Sequence, residues 1–154
     1  MTIGFALAVG ACAPNGPSGD SGQPLGLSEA GLQQIPLTVT AANGVHRFVV
    51  EVASTPEQQA QGLMHRQSLA PDRGMIFPYD PPEPASFWMR NTLIPLDMIF
   101  VRPDRTIARI VTAVPLDETA VPANELVSAV LEIPGGRAAE LGIREGDKVE
   151  WSAP

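Results

Sequence analysis

One cysteine, Cys12, and two histidines, His46 and His65, leave the chain unable to close an internal disulfide or to assemble a zinc-finger spacing. Basic clusters are missing as well. At a net charge of −7 there is no stripe of Lys and Arg to neutralise phosphates. That argues against a nucleic-acid role and against docking of the protein body on an anionic bilayer. Ser54, Ser68, Ser86 and Ser128 have no His neighbour in the sequence, and none sits in a Gly-x-Ser-x-Gly elbow. The case for an activated serine therefore fails. Gly135-Gly136 lacks the Lys and the Ser or Thr that complete a phosphate-cradling loop. Neither a metal nor a cofactor is called for.

What the chain does contain is the composition of a folded body, 44% hydrophobic and 18% charged, in 154 residues that suffice for one domain with a core. Sixteen prolines and fourteen glycines demand frequent turns and few helices. Ile3 to Ala11, IGFALAVGA, is apolar, too short to span a bilayer but long enough for the central region of an export signal. It ends in Val9-Gly10-Ala11-Cys12, which resembles a bacterial lipoprotein cleavage box. Small residues at 10 and 11 let the backbone enter a peptidase groove, and the Cys12 thiol takes the lipid. The resemblance implies removal of residues 1–11 and a mature protein anchored through Cys12 on the periplasmic face of a bacterial membrane, in the cell envelope. One departure is that no Lys or Arg precedes the apolar run. The alternative is a short hydrophobic segment packed on the body, with an inert cysteine. Residues 12–34 are rich in Gly, Pro and Ser and read as a flexible tether that spans roughly 25 Å as a coil.

The body is expected over residues 35–154. Ile35–Thr40 and Val45–Val52 alternate like strands around the turn signal Ala42-Asn43-Gly44. Ser54 or Thr55 can cap a helix that has Pro56 and Glu57 in its first turn and runs to about Met64, with Ala60, Leu63 and Met64 inward. Met75–Phe77 is a short strand, and the prolines of Tyr79–Pro84 predict a loop. Phe87–Met89, Leu96–Arg102, Thr106–Val114, Glu125–Ile133 and Lys148–Trp151 read as further strands, with a helical turn over Arg137–Leu141. Many short strands with minimal helix predict a mainly β fold: a compact antiparallel β-sandwich or barrel, jelly-roll-like, with one or two short helices.

Phe87 to Asp97, FWMRNTLIPLD, packs an indole, a guanidinium, an amide, a hydroxyl and a carboxyl into a run otherwise built like a buried strand. Such groups are mutually paired or serve a ligand. Trp88 faces opposite to Phe87 and Met89, so it can form a stacking platform, or else fill the core. Arg66 and Arg90 suit an anionic group, Arg66 equally an internal ion pair with Asp97 or Glu51. Asn91 can orient a ligand or only shape the turn before Pro95. Asp97, between apolar neighbours, needs a cation or several donors. As a general base it lacks a partner acid at a suggestive spacing.

Gly62-Leu63-Met64-His65-Arg66, Gly74-Met75-Ile76-Phe77, Phe87-Trp88-Met89-Arg90-Asn91-Thr92 and Pro95-Leu96-Asp97 together resemble the family of domain of unknown function 192. Val130-Leu131-Glu132-Ile133 with Gly135-Gly136, and Gly142-Ile143 with Gly146-Asp147-Lys148-Val149, fit its ending. The resemblance spans nearly all of residues 37–151 and implies a β-rich, jelly-roll-like domain, often exported, with no settled activity. Arg90 stands where the family usually carries Lys, which keeps the charge and changes the geometry offered to an anion.

The first functional expectation is a non-enzymatic, envelope-anchored binding or accessory domain. Its shallow groove, lined by Arg66, Trp88, Arg90, Asn91 and Asp97, would take an anionic or carbohydrate ligand. The second is a carbohydrate-active hydrolase or lyase with Asp97 as base. A third is a structural, partner-binding lipoprotein in which the same polar residues form an internal clasp.

Overall fold

The computed structural model of the chain describes residues 25–152, so the apolar run, Cys12 and the first part of the expected tether lie outside the described residues. Strands β1 (Gln34–Ala41) and β2 (Gly44–Val52) form a hairpin closed by Ala42-Asn43, in register from Gln34↔Glu51 to Ala41↔Gly44. Helix α1 (Pro56–Gln61) follows. Then come β3 (Arg73–Glu83), β4 (Ser86–Phe87), β5 (Leu96–Val101), β6 (Ile107–Ala113), β7 (Val121–Pro122), β8 (Val127–Pro134), α2 (Arg137–Glu140) and β9 (Lys148–Trp151). Seven strands join in the order β6-β5-β8-β3-β2-β1-β9, while β4 and β7 pair apart.

The sheet is mixed, where an antiparallel one was expected: β2 and β3 run parallel. Parallel neighbours need a crossover, and residues 53–72, with α1, supply it. The sheet curls strongly into a half-barrel. Its end strands approach each other, with the Ile107 N–H donating to Asp147 O at 2.8 Å and the Val149 N–H to Arg105 O at 2.8 Å. At this seam the Arg105 guanidinium carbon lies 3.5 Å from the centroid of the Trp151 ring.

Curling sorts the strand alternation into two apolar layers. Ile35, Leu37, Val39, Phe48, Val50, Ile76, Ile99, Leu131 and Ile133 fill the first. Leu63, Met75, Phe77, Met89, Met98, Phe100 and Val130 fill the second, beneath α1 and the loops around β4 and β7. Thr55 caps α1 by a reciprocal box with Gln58. The helix stops at Gly62, sooner than the expected Met64, and buries no residue of its own, Ala60 included. It is anchored by Leu63, 2% exposed, whose burial contributes about 2 kcal/mol.

Strand β3 runs through the expected Tyr79–Pro84 loop as far as Glu83. The ladder is broken between Pro78 and Glu83 and resumes at Glu83↔Val127, so the prolines there are not asked to donate. The expected strand over Phe87–Met89 shrinks to Ser86–Phe87. Residues 25–33, read as the end of the tether, fold back through a Leu27↔Gln33 bridge, and the Val52 N–H donates to Gln33 O at 2.9 Å.

Candidate functional site

Strand parity decides which of the expected residues meet. On β5, Leu96, Met98 and Phe100 face the second layer, and Asp97 faces the first together with Ile99 and Val101. Asp97 is 1% exposed. Its Oδ1 accepts from Thr112 Oγ1 at 2.6 Å and from the Gly136 N–H at 2.9 Å, and its Oδ2 accepts from the Ala138 N–H at 2.8 Å. The two N–H groups open α2, which has no side-chain cap of its own. Asp97 thus caps a helix from across the sheet, where the backbone dipoles favour an acceptor.

Arg66 turns to the other candidate partner. Its Nη2 donates to Glu51 Oε2 at 2.7 Å, with the Glu51 side chain only 9% exposed. The pair lies in an open groove of about 390 Å³ that also presents Glu29, Ser28, Ser68 and Arg73. Two carboxyl groups match the two guanidinium groups there, so the groove has no excess positive field for an anion.

Trp88, Arg90 and Asn91 sit on a surface loop above the second layer. Trp88 is 46% exposed, and the Arg90 guanidinium carbon stands 5.4 Å from its ring centroid. Asn91 takes a left-handed φ of 54° and its carbonyl accepts the His65 N–H at 2.9 Å, so it shapes the turn. The structure therefore brings Trp88 and Arg90 together, ties Arg66 to Glu51, and sets Asp97 on the opposite face of the sheet.

Glu132 went unremarked as a site candidate, although the signal was in the sequence: one carboxyl inside the apolar run Val127–Ile133. The residue lies on β8, paired on both sides, opposite Met75 of β3 and Met98 of β5. Both methionines are fully buried, and Glu132 is 4% exposed. Burial pushes its carboxyl up to about 8, and among the described residues no cation or hydrogen-bond donor offsets it. The Tyr79 phenol is pushed up too, by burial first and then by Glu83 and Glu132.

Glu132 lines a small cavity of about 40 Å³ with Gly62, Met64, Phe87, Trp88 and Thr92. Phe77 lines it as well and meets Phe87 edge to face, with centroids 4.9 Å apart. Gly74, which lines the Arg66–Glu51 groove, packs against the Glu132 backbone. A Cβ there would collide with the Glu132 carbonyl oxygen, so the strands can approach only with glycine at that position. Among the described residues no group of His, Cys, Asp and Glu has the arrangement to hold a metal.

No curated protein matches this chain. Among solved structures, it resembles a protein of unknown function from Novosphingobium aromaticivorans DSM 12444 at 54% identity and a TM-score of 0.81, covering 84% of this chain and 93% of that one. It also resembles a Sinorhizobium meliloti 1021 protein, provisionally described as a transcription regulator, at 36% identity and a TM-score of 0.73, covering 86% of this chain and 97% of that one. Residues 37–151 match the family described as Uncharacterized ACR, COG1430, and the chain belongs to that family, DUF192.

Proposed function

We propose that this protein is a non-enzymatic accessory domain of the bacterial envelope that works by holding a partner, its polar residues Arg66 and Asp97 serving as internal clasps. The observation that carries this reading is that both oxygens of Asp97 are spent on three donors of the protein itself. A general base must reach a substrate proton, and this carboxyl group has no such access. The partner face we infer is the pair of loops that carry Trp88, Leu93, Val114 and Leu116, which are 46%, 40%, 65% and 59% exposed. The Leu116 N–H donates to Thr92 O at 3.1 Å and the Met89 N–H to Asp117 O at 2.8 Å, so the loops are zipped into one surface. Exposed apolar clusters of this kind mark interaction sites. Regulation of transcription, suggested by the description of the Sinorhizobium protein, finds no support in a chain of net charge −7.

A photo-crosslinking residue at Leu116 is expected to give a discrete adduct in intact cells, lost on Trp88→Ala, whereas the same residue at Glu140 gives none. Turnover of an envelope carbohydrate that vanishes in Asp97→Asn, without any adduct at Leu116, would overturn the proposal. The lipid on Cys12 is tested separately: Cys12→Ser should move the protein from the membrane fraction to the soluble one. Unchanged membrane association would rule out lipid as the tether.

A further inference from the structure

We infer that the cavity between α1, Phe87-Trp88 and β8 is a binding site for a primary alkylammonium group, which Glu132 would hold. This goes beyond the partner surface proposed above and stands without it. Four features of the cavity converge on that chemistry.

The first is its set of free acceptors. The Gln59 amide NH₂ is spent on two carbonyls, Ala53 O and Pro78 O, each at 3.3 Å. Two carbonyls can face only N–H, so the Gln59 amide oxygen is left as an acceptor. Thr92 Oγ1 donates to Arg90 O at 3.2 Å and keeps its lone pairs. Glu132 adds a carboxyl group that no described residue pairs. The lining thus gathers acceptors, with the Gln61 amide and the Trp88 indole N–H as donors beside them, and the acceptors suit an ammonium head with three N–H bonds and no acceptor.

The second is the wall. Phe77, Phe87 and Trp88 present aromatic rings and Met64 a thioether, a lining that attracts an organic cation through the ring faces. It suits a hydrated metal ion poorly, because hard cations demand several oxygen ligands.

Size is the third. About 40 Å³ holds a few water-sized centres, enough for an ammonium and its first methylenes. Sites for drug-sized ligands run to roughly 300 Å³ and more, so a whole sugar ring is excluded.

The fourth is charge. A cation arriving beside Glu132 replaces the carboxyl proton, so occupancy rises with pH toward the point where burial ceases to hold that proton, about 8. The groups around it leave that response to Glu132. Tyr79 on β3 stays neutral in this range. The Glu51–Arg66 pair lies one strand beyond Met75. From α1 the cavity receives Gln59 and Gln61, from β5 the pairing partner of Glu132 is Met98, and the charged group of the Trp88–Thr92 loop, Arg90, stands over the Trp88 ring at 5.4 Å without lining the cavity.

The test is a titration of the full chain with n-butylammonium chloride, followed by the methyl resonances of Met64, Met75 and Met98. Saturable shifts are expected at pH 8, weakening at least tenfold at pH 6 and disappearing in Glu132→Gln. Thermal stability of that variant must be unimpaired for the loss to count. Trp88→Ala, which leaves the carboxyl in place, should weaken the response severalfold. Nα-acetyl-lysine N-methylamide binding more tightly than n-butylammonium would assign the group to a polypeptide side chain, and equal affinities would assign it to a free amine. Equal or stronger response to guanidinium or tetramethylammonium, or an unchanged response in Glu132→Gln, would overturn the site. Loss of the Leu116 crosslink with an intact titration would count against the partner surface alone.

Discussion

Asp97→Ala should cost about 3 kcal/mol of folding stability. The substitution strands the Thr112 hydroxyl and the Gly136 and Ala138 N–H groups at the start of α2. Loss of a capping acceptor alone costs about 1 kcal/mol, and buried donors left without partners add roughly 1–3 kcal/mol. Asp97→Asn is the sharper variant. One amide oxygen can still serve Thr112 and Gly136, but the amide NH₂ then faces the Ala138 N–H, donor against donor. We expect a loss of about 1–2 kcal/mol from it. Urea denaturation of both variants checks this. A catalytic base would give the reverse pattern, with stability preserved in Asp97→Asn and activity lost. If both variants were as stable as the parent, the clasp would have no energetic content.

The second large effect concerns pH. Burial lifts the Glu132 carboxyl from its ordinary 4.5 to about 8 in the folded protein. Between those values the folded chain keeps a proton that the unfolded chain has released. Stability is therefore full below the unfolded value and falls as pH rises through the folded one. Each unit corresponds to roughly 1.4 kcal/mol, so the fall between pH 5 and pH 8 is on the order of 4 kcal/mol. Glu132→Gln keeps the neutral shape and should flatten the profile, leaving the variant more stable than the parent at pH 8. Asp104 and Asp117 cannot imitate this. Both are held below the usual range, by the Thr106 and Thr119 hydroxyls first and then by the backbone N–H groups of the same residues. Their contributions are present at neutral pH and disappear on the acid side. Denaturation midpoints at pH 5, 6, 7 and 8 decide the matter, and an undiminished slope in Glu132→Gln would assign the fall to another group.

Much of the fold is legible from local rules. The hairpin at Ala42-Asn43-Gly44, the capped start of α1 at Thr55-Pro56 and the short turn of helix at Arg137 follow from residues close in sequence. The proline-rich extension of β3 was not legible. Whether Tyr79 to Glu83 forms a strand depends on Val127 of β8, far along the chain, offering a partner to Glu83. The site divides in the same way. The Trp88–Arg90 contact joins residues two apart and could be anticipated from their shared face. The Arg66–Glu51 pair was one of two partners that sequence logic allowed.

By itself, then, the sequence determined the β-rich class, the places where strands turn and the outward position of Trp88. Those properties are set by backbone dihedrals and by side-chain alternation over a few residues. Only the tertiary structure decided that β2 and β3 run parallel, that Asp97 serves α2 and not Arg66, and that Glu132 lies beside an aromatic cavity with no partner among the described residues. Each depends on which strands become neighbours and on how tightly the sheet curls. Because the side-chain repeat along a strand is two residues, a shift of one position sends a carboxyl group to the opposite layer.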